Sequence, residues 1–104
     1  MDIGKVLQKI KSYYDEIKKL ELYFFKNDDI NIAMEEDAVD FIIEQFVNSG
    51  IKPEDFYKQL IVDFELGLKL IREKTGKNYF KITRQALMGP EAFIRDLIKD
   101  ELQN

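Results

Sequence analysis

Apolar positions recur at steps of three and four through most of the chain, and two short stretches alternate instead. Ile3, Val6, Leu7, Ile10, Tyr13, Tyr14, Ile17, Leu20 and Phe24 share one helical face. Lysines and acids fill the opposite face, so a helix is predicted over about 3–25, with Asp2 as its N-cap. Lys26-Asn27-Asp28-Asp29 reads as a polar turn. Ile30, Ile32 and Met34 then alternate, which predicts a strand over 30–34.

Glu35-Glu36-Asp37 opens a second helix, 35–48, because carboxylates in a first turn favour the positive end of the helix dipole. Its apolar stripe is Ala38, Val39, Ile42, Ile43 and Phe46, and Gly50 supplies the left-handed residue after it. Pro53, followed by Glu54 and Asp55, starts a third helix over 53–75, with Phe56, Leu60, Phe64, Gly67, Leu68 and Ile71 on one face. Gly67 costs that helix about 1 kcal/mol relative to Ala, which predicts close approach by a neighbouring element.

Alternation returns in a strand over 78–83, where Phe80 and Ile82 oppose Tyr79 and Lys81. Thr83 caps a short helix over 84–88. After Gly89-Pro90 a last helix covers 90–102 and buries Phe93, Ile94, Leu97 and Ile98. The expected fold is α+β: a single domain over 1–104, mostly helical, with four to five helices and a small two-stranded sheet laid on them. Two short strands make no core by themselves.

The chain length, 104 residues, suits one domain and lets it bury about 65% of its unfolded surface. With 45% apolar and 12% aromatic residues, a packed core is feasible. Cysteine is absent, which rules out disulfides, thiol catalysis and thiolate metal sites, and fits a reducing cytoplasm. Histidine is absent as well, removing the commonest general base and zinc ligand. A net charge of −4, and thirteen Lys against three Arg (Arg72, Arg84, Arg95), argue against nucleic-acid binding. No apolar run of 18 residues and no signal-peptide core are seen, so a soluble cytoplasmic domain without membrane contact is expected.

Candidate chemistry is thin. Asp28, Asp29, Glu35, Glu36 and Asp37 suit a hard cation in type, but their spacing is not that of a calcium loop, and a solvated turn and helix start explain them. The pairs Asp63/Glu65 and Asp96/Asp100 show no unequal environments of the kind acid–base catalysis needs. Lys74-Thr75-Gly76-Lys77 lacks the first glycine of a phosphate loop and follows a helix, so it reads as a C-cap. No catalytic and no metal-ligating residue is predicted. Tyr23 and Phe25 fall off the helical stripe, which makes them candidates for an exposed protein-docking pair.

The order of segments resembles the C-terminal lid subdomain of AAA+ ATPases, nearest to Clp unfoldases of the ClpX type. The stretches that carry the likeness are Lys19-Leu20-Glu21-Leu22-Tyr23-Phe24-Phe25, Ile30-Asn31-Ile32, Glu36-Asp37-Ala38-Val39-Asp40 and Phe80-Lys81-Ile82-Thr83-Arg84-Gln85-Ala86. Together they span about residues 10–87. The family's third helix opens on a Gly-Ala-Arg triplet that senses nucleotide, whereas this chain has Ser49-Gly50-Ile51-Lys52-Pro53. Lys52 and Lys58 are the cations at that end and stand as nucleotide-proximal candidates, although neither matches the motif.

The resemblance implies a non-catalytic lid that packs on a larger ATPase core or a neighbouring subunit. It would hold no cofactor of its own, ATP and magnesium belonging to the parent. The other expectation, from the residues alone, is a stand-alone protein-interaction or regulatory domain. On both readings the partner is a protein.

Overall fold

The structure, a computed structural model, describes residues 2–103. The elements run α1 (Ile3–Asp28), β1 (Asn31–Met34), α2 (Glu36–Asn48), α3 (Pro53–Thr75), β2 (Tyr79–Ile82), α4 (Arg84–Met88) and α5 (Pro90–Leu102). The α+β architecture expected from periodicity is present: five helices and one two-stranded sheet among the described residues.

Boundaries follow local chemistry. The Asp2 carboxylate accepts from the Lys5 amide and caps α1. At the other end α1 runs about a turn further than periodicity predicts. The Asn27 amide donates to the Tyr23 carbonyl, and Asp29 takes the left-handed conformation at φ 54° that ends the helix. Acidic side chains tolerate that conformation better than most. Pro53 starts α3 and Gly76, at φ 79°, stops it. The Thr83 hydroxyl accepts from the Ala86 amide to start α4.

β1 and β2 pair in parallel, in the register Asn31↔Tyr79 to Met34↔Ile82, and the α2–α3 pair makes the crossover between them. Ile32, Phe80 and Ile82 face inward onto Leu20 and Phe24 of α1 and Leu60, Phe64, Leu68 and Ile71 of α3, forming the main core. A smaller cluster joins Ile17 to Ile42 and Phe46, with the Tyr13 ring tilted against that of Phe46 at 5.2 Å between centroids.

α5 closes the core from the side. Its approach explains Gly67: a Cβ there would sit 2.5 Å from Ile94 Cγ2. Phe93, Ile94, Leu97 and Ile98 do face the core as predicted, but only half-buried, and α5 has no fully buried residue.

Periodicity gives α1 one continuous apolar face, yet burial along it begins only at Ile17. Every residue from Asp2 to Ser12 is exposed. A helix of 26 residues is about 39 Å long, more than the 25 and 21 Å widths of the molecule. With residues 2–12 uniformly exposed, the first half of α1 overhangs the body.

Candidate functional site

The candidate residues proposed from sequence do not converge. Lys52 is the N-cap residue of α3 and Lys58 follows six positions later, a rotation of about 240° that puts them on different faces. Both are exposed. The first turn of α3 already carries Glu54 and Asp55, which meet its positive dipole end and disfavour a phosphate there.

Tyr23 and Phe25 part company too. Phe25 is 51% exposed and, with Leu22, Lys18 and Glu21, borders a shallow groove beside Asn31 and Ile32 of β1. Tyr23 is half-buried against the core, and its hydroxyl donates to Glu65 Oε2 at 2.8 Å. Its off-stripe position is explained by a partner on α3 rather than by solvent, so it is not an exposed docking residue.

The acidic residues disperse. Asp29 pairs with Arg72 at 3.2 Å, and Asp37 accepts from the Arg84 backbone amide. Asp63 accepts from Gln59, while Glu65 turns to Tyr23. Among the described residues no three carboxylates gather as a cation site would require.

Asp28 is the exception in environment. Its side chain is 5% exposed and Oδ2 has no hydrogen-bond partner as a carboxylate. Burial pushes its pKa from 3.8 up to about 6, and neighbouring Glu65 pushes the same way. A proton on Asp28 turns the two carboxylates into donor and acceptor. Lys69, at 3.9 Å, and Arg72 oppose the shift. The pair clasps α1 to α3.

Two contacts that periodicity does not reveal hold the rest of the body. Arg84 makes a bidentate pair with Glu44, at 3.3 and 2.9 Å, over the Phe41 ring. This locks α4 to α2. Lys77 reaches Glu101 at 2.7 Å and holds α5 to the loop before β2. Pairs 40 and 24 residues apart in sequence leave no local signature.

An open groove of about 670 Å³ runs between α4 and α5. Its apolar lining includes Met88, Ala92 and Leu97, and Asp37, Asp96 and Asp100 line it too.

The overhang of α1 is the most distinctive surface. Ile3, Val6, Leu7, Ile10 and Tyr14 are 70, 40, 60, 38 and 47% exposed and lie within a single helical stripe. Lys5, Lys9 and Lys11 are the charged residues between positions 3 and 14. That stretch carries +3, and with −4 overall the remainder of the chain carries −7. A second exposed stripe, Val62, Leu66 and Leu70, lies on α3. It differs in support, because α3 is packed by α1 and α5 whereas the first ten residues of α1 are all exposed.

No protein-family model matches this chain, and no curated protein or solved structure matches it. Among the described residues, no helix is long and apolar enough to cross a membrane.

Proposed function

We propose that this domain is a non-catalytic protein-docking module whose working surface is the overhanging half of α1. One observation carries the reading: Ile3, Val6, Leu7 and Ile10 stand exposed on a stretch of helix that the body does not cover, and exposed Tyr14 continues their stripe. Isolated helical segments of this length are marginal in water, and an apolar patch of roughly a few hundred Å² is a recurring mark of interaction sites. A partner laid along the stripe supplies burial and helix stability together. A photo-crosslinking amino acid placed at Leu7 in cells is expected to capture a protein. The same probe at Leu66, 79% exposed against 60% for Leu7 but on the supported helix, is expected to capture none. Capture at Leu66 alone, or at neither, overturns the reading.

A second reading, the lid-like accessory domain of an AAA+ ATPase, is favoured by the sheet. That likeness calls for residues 30–34 to pair with 78–83 beside a helical layer, and β1 lies beside β2 across the α2–α3 crossover. On this reading the partner is an ATPase core, and a nucleotide contact would fall to Lys52 or to Lys58 but not to both, since they lie on different faces of α3. Titration of Mg-ATP followed by amide NMR shifts tests the contact. Shifts confined to the neighbourhood of Lys52 or of Lys58 support it, and a flat titration in the presence of an AAA+ core counts against it.

A further inference from the structure

We propose that the occupant of the α1 overhang is a second copy of this chain, which receives it head-to-tail in the groove between α4 and α5. The inference rests on the reading of the overhang as a docking surface and adds what docks there.

Charge points to it first. The overhang presents Lys5, Lys9 and Lys11 beside its apolar stripe. The groove presents Asp37, Asp96 and Asp100 beside apolar lining that includes Met88, Ala92 and Leu97. The acids are not idle: Asp37 accepts from the Arg84 amide, and Asp96 lies 3.8 Å from Arg95. Arg84 also lines the groove and is paired with Glu44, so the lining holds three carboxylates to one guanidinium and stays net acidic. Basic-flanked apolar surface thus meets acid-bordered apolar surface, the arrangement that steers and orients association.

Dimensions agree as well. Residues 3–12 make about 15 Å of helix, and the groove follows α5 from Gly89 to Asp100, about the same length. α5 has no fully buried residue, and Met88 at the groove edge is 65% exposed, so both surfaces have apolar area left to cover. A chain cannot satisfy its own groove. The overhang continues as straight helix into Ile17, Leu20 and Phe24, which are fixed in the body. An anionic membrane suits the overhang less well, because the rest of the chain carries −7 and would be brought against it.

The two surfaces differ, so the contact is heterologous. Repetition therefore builds an open series of copies unless the rotation happens to close a ring. One helix in one groove is a small interface, so association is expected to be weak and to weaken further with salt.

Sedimentation analysis of three proteins tests this: the wild-type chain, an overhang variant (Leu7→Glu with Lys9→Glu) and a groove variant (Met88→Lys with Asp96→Lys). All four substituted side chains are exposed, and circular dichroism checks that the fold persists. The wild type is expected to form species beyond a dimer as concentration rises. Each variant alone is expected to lose association at least tenfold. An equimolar mixture of the two is expected to recover a complex that stops at two chains, since only one intact pair of surfaces remains.

A wild type that stays monomeric at sub-millimolar concentration overturns the proposal. So does a groove variant that still dimerises through α1, or binding to phosphatidylserine vesicles in place of self-association. A monomeric wild type that still crosslinks another protein at Leu7 overturns self-association alone and leaves the docking function standing.

Discussion

The Tyr23 hydroxyl donates to the Glu65 carboxylate at 2.8 Å, and so ties the later turns of α1 to the middle of α3 across 42 residues of sequence. The same carboxylate neighbours buried Asp28. Tyr23 spends its donor on Glu65, which leaves Asp28 Oδ2 without a partner unless a proton is added. Two acids against one phenol make this seam of the molecule sensitive to pH.

The direction follows from the raised pKa. Asp28 titrates near 3.8 when unfolded and at about 6 when folded, with Glu65, Tyr23, Lys69 and Arg72 around it. Between those values the folded chain holds a proton that the unfolded chain has released. Its contribution is therefore most favourable below about pH 4, is lost as pH rises to about 6, and stays lost above that. The cost at neutral pH is on the order of 1–3 kcal/mol. Asp28→Asn, which keeps a donor at all pH values, is expected to raise stability at pH 7.5 and flatten the profile between pH 4 and 6. Urea denaturation at several pH values measures it. A variant less stable than wild type at pH 7.5 would show that the Lys69 attraction outweighs burial.

Gly67 and Ile94 make a second point of control. The gain in helix propensity from Gly67→Ala is about 1 kcal/mol. It is opposed by a Cβ placed 2.5 Å from Ile94 Cγ2, a branch at the stiff end of its side chain. Overpacking of this kind costs roughly 1–3 kcal/mol, so a net loss is expected. Combining Gly67→Ala with Ile94→Ala should cost less than the sum of the two single changes. Thermal unfolding of the four proteins in the cycle checks the coupling. Strict additivity would place α5 further from α3 than the structure does.

Tyr57 has a buried hydroxyl without a hydrogen-bond partner. Burial first, and then the charge of Glu16, push its ionisation far up, so it stays a neutral phenol. Removing an unsatisfied buried hydroxyl while keeping the ring relieves a desolvation cost of about 1 kcal/mol. Tyr57→Phe should therefore be neutral or stabilising by roughly that much in chemical denaturation, and its ring contacts with Phe46 and Phe56 should persist. A loss of more than about 1 kcal/mol would reveal a bond from the hydroxyl to Glu16 or water.

By itself the amino-acid sequence determined the elements. Helices and strands come from local spacing and local caps, and Asp2, Pro53, Gly76 and Thr83 mark ends where the structure has them. Even the approach to Gly67 was legible, because a helix keeps a costly glycine where a side chain would collide. What only the tertiary structure decided is which apolar residues are covered. Ile3, Leu7 and Ile10 continue the same stripe as Ile17 and Leu20, yet the first group is exposed and the second buried. Periodicity reports a face and says nothing of what lies opposite it. Tyr23 and Phe25 looked alike in sequence and were separated by Glu65, and Arg84 found Glu44 forty residues away. Such pairings depend on how α1, α2 and α3 stack, and that is set by the shared core rather than by any one segment.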